Sequence, residues 1–542
     1  MTESFSENVP ASRYPPVDLI RHRAALLAIF GELRAAPEFN AQILRQILRR
    51  HPRDGSGFFS KSQLVAGYRQ LVETGELPFE QETARRVQMK PVRTRSGVAV
   101  IAVLTEPAGC PAHCIFCPDD PLMPKSYLAR EPGAQRALQH QFDPYRQTRN
   151  RLNALHNVGH ATDKVELLIL GGTWSAYPHD YGNWFVQRCL DALNEQPSAS
   201  LAEAQMHNET APNRCVGLTI ETRPDWITPQ ELIRLRGLGV TRVQLGVQSL
   251  DDAVLALNAR GHDLAVTRRA CRRLRAAGFK LHLHWMPNLY GATPASDRAD
   301  YARLWDDPDL RPDDLKIYPT ALLPDTGLYR LWQQGHYQPY DESALIELLA
   351  DCKAATPPYC RLTRVIRDIP ADYIVAGSRS SNLREAVQTH LAATARQCRC
   401  IRCRELGDQP LRLNEIRLHD LVYATGAGEE HFISVDTAEG RLAGFLRLLL
   451  PAGTVQADQP AELHGCAVIR ELHVYGLALE IGADAGDTAQ HRGLGGLLLA
   501  EAERIASEAG WQRLAVIAAL GTRRYYQQRG FALQSLYMHK PL

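Results

Sequence analysis

Little in this sequence marks a secreted or membrane protein. Its opening residues, Met1-Thr2-Glu3-Ser4-Phe5-Ser6, offer neither a basic n-region nor an apolar h-region, so no secretory signal is expected. The longest apolar stretch, 444–450, is short and interrupted by Arg447, so no membrane span is expected and a cytoplasmic location is. No internal repeat or low-complexity tract is present. Charge of one sign is also missing overall, the net value being only +2. What remains is a globular composition, 45% apolar and 23% charged. At 542 residues the chain exceeds one core and should form about three domains.

Twelve cysteines without a signal point to metal or cluster chemistry in a reducing compartment rather than to disulfides. Six fall in two tight groups. The other six (Cys189, Cys215, Cys271, Cys352, Cys360, Cys466) are scattered and read as small core residues.

The first group is Cys110-x3-Cys114-x2-Cys117. Electron-carrying clusters generally take four cysteines. Three thiolates would hold three irons of a [4Fe–4S] cluster and leave the fourth open for a substrate. With Phe116 inside the second gap, this is the radical S-adenosylmethionine (SAM) form of the motif, in which SAM chelates the open iron. A structural zinc site with His113 as fourth ligand is the alternative.

Apolar β-rich runs at 98–105, 165–170, 215–221, 241–247, 279–285 and 314–318 alternate with helical segments such as 229–238 and 265–277. Six β/α units predict an α/β protein with a partial (β/α)6 barrel over 96–375, presenting its chemistry at the strand C-termini. Gly171-Gly172, Glu221, Gln248 and Arg260 share a position at or beyond strand ends. There a backbone can approach an amino group, a carboxylate can bind ribose hydroxyls, and a guanidinium can fork a carboxylate.

Charge is uneven along the chain. Residues 1–95 hold fifteen Lys/Arg against ten Asp/Glu, with an acid-free run of Arg85, Arg86, Lys90, Arg93 and Arg95. Upstream, Ile43, Leu44, Ile47 and Leu48 form a helical stripe with Arg45, Arg49 and Arg50 off it. A basic helical module over 1–95 could follow a phosphate backbone, though an ordinary solvated surface carries the same charges.

The second cysteine group, His390-x7-Cys398-x-Cys400-x2-Cys403, suits a closed tetrahedral Zn²⁺ in a linker over 376–410. Cys360 is an alternative to His390, and a second iron–sulfur cluster an alternative to zinc. Beyond 411, a strand at 467–474 precedes Gln490-His491-Arg492-Gly493-Leu494-Gly495-Gly496, which opens a helix at 497–509. Such a turn offers backbone N–H groups and the positive helix end to a pyrophosphate. A dinucleotide fold would need an acid about 20 residues on. Instead a strand at 514–519 leads to Tyr525-Tyr526-Gln527-Gln528-Arg529-Gly530-Phe531, the pattern of the GNAT acyl-CoA fold. That domain is expected over 411–542.

The whole set is similar to the Elongator catalytic-subunit family in its stand-alone prokaryotic form. Further segments carry the likeness: 90–97 (KPVRTRSG), 314–320 (DLKIYPT), 367–370 (RDIP), 470–476 (RELHVYG) and 521–526 (GTRRYY). The resemblance implies a tRNA-modifying enzyme that places a carboxymethyl-type group on C5 of the wobble uridine. Cys110, Cys114 and Cys117 would ligate the cluster. Gly172, Glu221, Gln248 and Arg260 would hold SAM. Glu471, His473, Val474 and the 490–496 turn would bind acetyl-CoA, with Tyr525 and Tyr526 at its thioester. In the implied mechanism a 5′-deoxyadenosyl radical takes a hydrogen from the acetyl methyl group. The carbon radical adds to the uridine, and thioester hydrolysis leaves the carboxylate. Lys164, placed with the cofactor set, and Lys280 and Lys316 sit in or beside barrel segments and would face cofactor or anticodon. Arg85, Arg86, Lys90 and Arg93 would meet the anticodon stem-loop.

An external electron donor is expected as a partner, in a monomer or homodimer. The cysteine spacing is tighter than in eukaryotic members and matches the general radical-SAM form. No general base for thioester hydrolysis is evident. Two other functions fit parts of the chain. A protein lysine acetyltransferase would need no cysteine triad and no basic N-terminal module. A tRNA-binding scaffold with decayed chemistry would not have kept its cysteines, glycines and tyrosines.

Overall fold

A computed structural model describes residues 17–90, 94, 96–380, 382–407, 411, 415–475 and 493–542. Four helices come first: α1 (Leu19–Ala35), α2 (Ala41–Arg50), α3 (Lys61–Glu73) and α4 (Gln81–Val87). Polar caps start the first three. Asp18 accepts from the Arg21 N–H at 3.1 Å, Asn40 accepts from two first-turn N–H groups, and Ser60 with Gln63 forms a capping box. Their inner faces (Leu26, Phe30, Leu44, Ile47, Leu64, Leu71) bury one small core. Arg45, Arg49 and Arg50 are exposed, as the α2 stripe predicts.

The central layer is a seven-stranded, wholly parallel sheet in sequence order: β1 (Ala99–Leu104), β2 (Lys164–Leu170), β3 (Arg214–Thr222), β4 (Arg242–Gln248), β5 (Lys280–Trp285), β6 (Asp314–Ile317) and β7 (Arg361–Arg364). The six expected strands appear with ends moved by one residue or so. β7 adds a seventh, so the expected six-unit barrel is one strand short. Its sequence, Arg361-Leu362-Thr363-Arg364, has only one apolar residue and lacks the signal that marked the others. Helices pack the convex face through Phe185, Leu190, Leu235, Leu274 and Tyr301. Alternation turns Arg242, Gln244, Lys280, His282, His284, Asp314 and Lys316 to the opposite, concave face. Residues of β1 to β5 line one shared cavity with Lys316 of β6, as a curled half-barrel sheet requires.

A second seven-stranded sheet holds β8 (Arg417–Thr425), β9 (Gly428–Asp436), β10 (Leu442–Pro451), β11 (Ala467–Val474), β12 (Arg513–Val516), β13 (Ala532–Leu533) and β14 (Met538–Pro541), in the order β13-β14-β12-β11-β10-β9-β8. Only β11 and β12 run parallel, and the helix Leu494–Glu508 lies in the connection between them. One continuous core joins the two sheets, with Val468, Ala515, Ile517 and Tyr537 packed among barrel residues. Arg447, in the longest apolar run, lies wholly inside this seam. Its Nε donates to Glu471 at 2.9 Å and its Nη2 to the Tyr359 carbonyl at 2.6 Å. The six scattered cysteines are all buried. Among the described residues no helix is long and apolar enough to cross a membrane.

Candidate functional site

The main cavity opens at the C-terminal ends of the parallel strands. The loop after β1 carries Cys110, Cys114 and Cys117 into its wall. That loop is fastened at its middle: the Ile115 N–H donates to the Asn258 carbonyl at 3.2 Å, and the Ile115 carbonyl accepts from Leu328 at 2.8 Å. Cys110 Sγ lies 3.7 Å from Thr173 Oγ1, and Arg260 Nη1 lies 3.5 Å from Cys114 Sγ. Burial, reinforced by Cys114, pushes the Cys117 thiol up to about 12. His113, the alternative fourth zinc ligand, is exposed and lies outside the cavity wall.

Gly172, Glu221, Gln248, Arg260 and Lys316 line the same cavity. Gly172 has φ +83°, and a Cβ there would press on the Lys125 carbonyl at 3.1 Å, so glycine is what fits at this point of the cavity wall. Gln248 is held at φ +75°, uncommon for a residue with a side chain, and its Oε1 is buried without a partner. Arg260 donates to the Gly246 carbonyl, while its buried Nε has no partner. Glu221 accepts from the Tyr127 hydroxyl at 3.0 Å and keeps its second oxygen 3.9 Å from His284. Buried polar atoms left without partners are expensive in a finished interior and ordinary in a binding site. Three sulfurs with no fourth thiolate, beside a bare glycine backbone, an acceptor and a guanidinium, fit a [4Fe–4S] cluster carrying SAM.

Other candidates fall elsewhere. Lys164 and Lys280 begin β2 and β5, at the strand ends away from the cavity. Lys280 is enclosed by Glu471 and, at 3.4 Å, Asp314. Arg86 donates to the Leu33 and Ala36 carbonyls at the end of α1 and covers the Phe39 ring at 5.6 Å, so it fastens helices together. Arg85 is half-buried and Lys90 exposed, while Arg93 and Arg95 lie outside the described residues. Sequence reasoning missed Tyr127, Thr173, His284 and Tyr318 in the cavity wall. The alternation Lys280-Leu281-His282-Leu283-His284 was the one available signal for His284.

A second candidate site lies where β11 parts from β12. The two strands pair only from Ala467 to Ile469, whereas β11 continues along β10 to Val474. The helix Leu494–Glu508 starts beside this opening. A Cβ on Gly495 would collide with the Tyr525 hydroxyl and would lie 3.9 Å from Val474. Arg529 covers the Tyr525 ring at 3.6 Å. Tyr526 turns into the core against Phe531, 5.6 Å away. Gly493 caps the helix, Leu494 is buried in the core, and Gly496 faces open space. Gln490, His491 and Arg492 lie outside the described residues. Glu471 and His473 turn toward the barrel, where Glu471 meets Lys280 and His473 Nε2 meets the Ser96 carbonyl at 3.2 Å. Burial pushes the His473 imidazole down to about 4.

The sulfurs of Cys398, Cys400 and Cys403 lie within 4.8 Å of one another. Hydrogen bonds from Cys398 and Cys403 hold the Cys400 thiol well below its usual value. His390 is not brought into this group. Its Nε2 lies 2.5 Å from Glu347 Oε2. Cys360 is not in it either. Three clustered soft donors fit Zn²⁺, with neither expected fourth ligand in place.

Residues 107–298 match the Radical SAM superfamily model and residues 312–393 the Radical_SAM C-terminal domain model. The chain is 43% identical to the tRNA uridine(34) acetyltransferase of Dehalococcoides mccartyi, over 83% of this chain and 99% of that protein. It is 37% identical to Elongator complex protein 3 of Homo sapiens, over 84% of this chain and 86% of that one. Among solved structures, the archaeal Methanocaldococcus infernus Elp3 with an N-terminal deletion superposes with TM-score 0.72 at 38% identity, covering 82% of this chain and 99% of that one.

Proposed function

The chain belongs to the radical SAM family of tRNA uridine(34) acetyltransferases and Elongator complex protein 3, and from that premise we propose that it modifies the wobble uridine of tRNA at C5, with acetyl-CoA as carbon donor and a carboxymethyl-type product. The observation that carries this reading is the cavity that joins the cysteine triad to the unpartnered Gln248 and Arg260 atoms.

When bound there, a [4Fe–4S] cluster and SAM supply a 5′-deoxyadenosyl radical. The chain's own residues bind and orient. Arg260 pairs with the SAM carboxylate, Gln248 Oε1 and the Gly172 backbone receive its amino end, and Glu221 takes the ribose hydroxyls. The fastened cysteine loop fixes the sulfurs, and the apolar wall of Ala102, Leu168 and Leu170 keeps water from the reacting atoms.

The second sheet with its helix acts as a GNAT-type acyl-CoA domain over 411–542. The helix start at Gly493 to Gly496 takes the pyrophosphate, the open edge of β11 to Val474 takes the pantetheine amides, and Tyr525 meets the thioester. The helical module over 1–95 gathers tRNA phosphates, the barrel spans 96–375, and a Zn²⁺ on Cys398, Cys400 and Cys403 stiffens the 376–410 linker. An external electron donor completes the set. The two activities share one polypeptide because the acetyl carbon must reach the base held in the barrel. A protein lysine acetyltransferase would leave the cysteine cavity without a use.

The test is nucleoside mass analysis. tRNA with an unmodified wobble uridine, incubated anaerobically with reconstituted protein, reductant, SAM and acetyl-CoA, should gain the mass of a carboxymethyl group on that nucleoside. Unchanged wobble uridine together with acetylated lysine peptides would replace this reading with the acetyltransferase one.

A further inference from the structure

Two lysines are buried on the concave face of the parallel sheet, and their partners differ. Lys280 is enclosed by two carboxylates, those of Asp314 and Glu471. Lys316, two residues beyond Asp314 on β6, is only 7% exposed, and among the described residues it has no carboxylate within ion-pair distance. Its Nζ donates to Gln244 Oε1, which also takes the His284 Nε2 hydrogen at 2.9 Å. A side-chain amide oxygen accepting two hydrogen bonds is full, so the amine keeps further N–H groups for the cavity that it lines. An ammonium buried without a counter-charge is costly unless a ligand meets it. Burial, only partly offset by the more distant Glu221 carboxylate, accordingly pushes Lys316 down to about 7. Burial and the neighbouring Lys316 also push the His284 imidazole well below its ordinary value.

The remaining wall defines the ligand's shape. The Tyr318 ring lines the cavity, with its centroid 5.8 Å from Lys316 Nζ. An aromatic face beside an N–H donor suits a flat heterocycle with a carbonyl edge. Uracil presents an acceptor oxygen at position 4, where cytosine presents an amino donor. A donor fixed at that point accepts the first base and repels the second.

We propose that Lys316, oriented by Gln244, donates a hydrogen bond to O4 of the target uracil lying against Tyr318, and so selects uracil over cytosine. This inference rests on the tRNA-uridine reading above. Gln244 is a positioning residue in it. The amine stays out of SAM binding, which Gly172, Glu221, Gln248 and Arg260 already provide for.

The experiment is equilibrium binding of two anticodon stem-loop RNAs, identical except for U or C at the wobble position, to full-length reconstituted protein. SAM affinity is measured on the same samples. The parent should favour the U stem-loop about tenfold, the scale of one discriminating hydrogen bond. Lys316→Met should bring the two RNAs to near parity, mostly by loss of U affinity, with SAM affinity unchanged. Gln244→Glu, which gives the buried amine a counter-charge and draws it from the cavity, should also reduce the preference and keeps the test alive if Lys316→Met does not fold. An unaltered U/C ratio in both variants would overturn the inference, as would a loss of SAM affinity with that ratio unchanged. A parent that binds both stem-loops equally would overturn it while leaving tRNA binding intact. A parent that binds neither would refute the tRNA reading itself.

Discussion

Arg470 on β11 and Asp313, just ahead of β6, face each other across the seam with neither side chain reaching solvent, Arg470 Nη1 lying 3.2 Å from Asp313 Oδ1. Glu430 adds a second buried carboxylate at 2.5 Å, and the Phe279 carbonyl accepts from Nη2 at 2.9 Å. Burial alone would push the Asp313 carboxyl up, but Arg470 and Arg447 outweigh it and hold it below the usual range. Removing the guanidinium therefore leaves the buried Glu430 without its ion-pair partner and, among the described residues, Asp313 with Arg447 alone. Arg470→Met should cost about 3–5 kcal/mol of stability, the usual penalty for breaking a buried pair. Denaturant titration measures it, and an unchanged midpoint would contradict the assignment.

Tyr525 and Tyr526 are adjacent in sequence and differ in environment. Tyr525 stands beside Gly495 at the open end of β11, whereas Tyr526 is packed in the core. Tyr525→Phe should weaken acetyl-CoA turnover roughly tenfold or more, the scale of one lost hydrogen bond to the reacting group, while leaving the melting temperature unchanged. Tyr526→Ala should instead lower stability by about 3–5 kcal/mol, as large-to-small core changes do. The check is acetyl-CoA hydrolysis and thermal unfolding of both variants, and the reverse pattern would exchange their roles.

Much of this arrangement was legible in the sequence because it is local. The six barrel strands announced themselves as apolar β-rich runs, and Gly172, Glu221, Gln248 and Arg260 were singled out by their place at or beyond the C-terminal ends of those runs, where the structure puts them in one cavity wall. What stayed hidden depends on contacts between distant segments. His390 looks like a zinc ligand until Glu347, 43 residues away, takes its Nε2. Arg86 reads as a free cation until the Leu33 and Ala36 carbonyls take its guanidinium. Lys280 and Lys316 lie on the same concave face, and only tertiary packing gives one two carboxylates at ion-pair distance and, among the described residues, the other none. Strand ends of opposite sense also look alike in sequence, so Lys164 could not be separated from the cavity set.

The cysteine cluster of the linker should behave as a structural metal site. Purified protein should contain about one zinc per chain beside its cluster iron. Cys400→Ser should lose that zinc and aggregate or melt earlier, because structural zinc contributes folding free energy directly. His390→Ala should retain the metal, its imidazole being paired with Glu347. Metal analysis of the three proteins decides the matter. Zinc lost from His390→Ala would restore that residue as a ligand.

His539 on β14 gives the second sheet a pH dependence. Its Nδ1 lies 3.7 Å from Cys466 Sγ and its Nε2 3.7 Å from Glu462. Burial pushes the imidazole down, but Cys466 and Glu462 outweigh it and raise it to about 9. A group raised in the folded state stabilises fully below its unfolded value, near 6.5, and loses that contribution as pH climbs through about 9. His539→Gln should therefore be less stable than the parent at pH 6, with the gap closing by about pH 10. A gap that stays constant across that range would show that the imidazole acts only by packing.

Two N-terminal cations, Lys90 and Arg86, differ in setting. Lys90 is exposed, whereas Arg86 grips the end of α1. Lys90→Ala should leave thermal stability untouched, lower affinity for every tRNA alike, and reduce the slope of log affinity against log salt by up to about one, as expected for a lost phosphate contact. Arg86→Ala should act the other way round. It strips two carbonyls of their donor and uncovers Phe39, so it should cost about 1–3 kcal/mol of module stability and weaken tRNA binding only through that loss. Binding at two or three salt concentrations, with a melting curve for each variant, separates the cases. A full salt slope in Lys90→Ala would remove this lysine from the RNA surface. An Arg86→Ala protein that melts like the parent but has lost one unit of slope would place that arginine on the phosphate backbone instead.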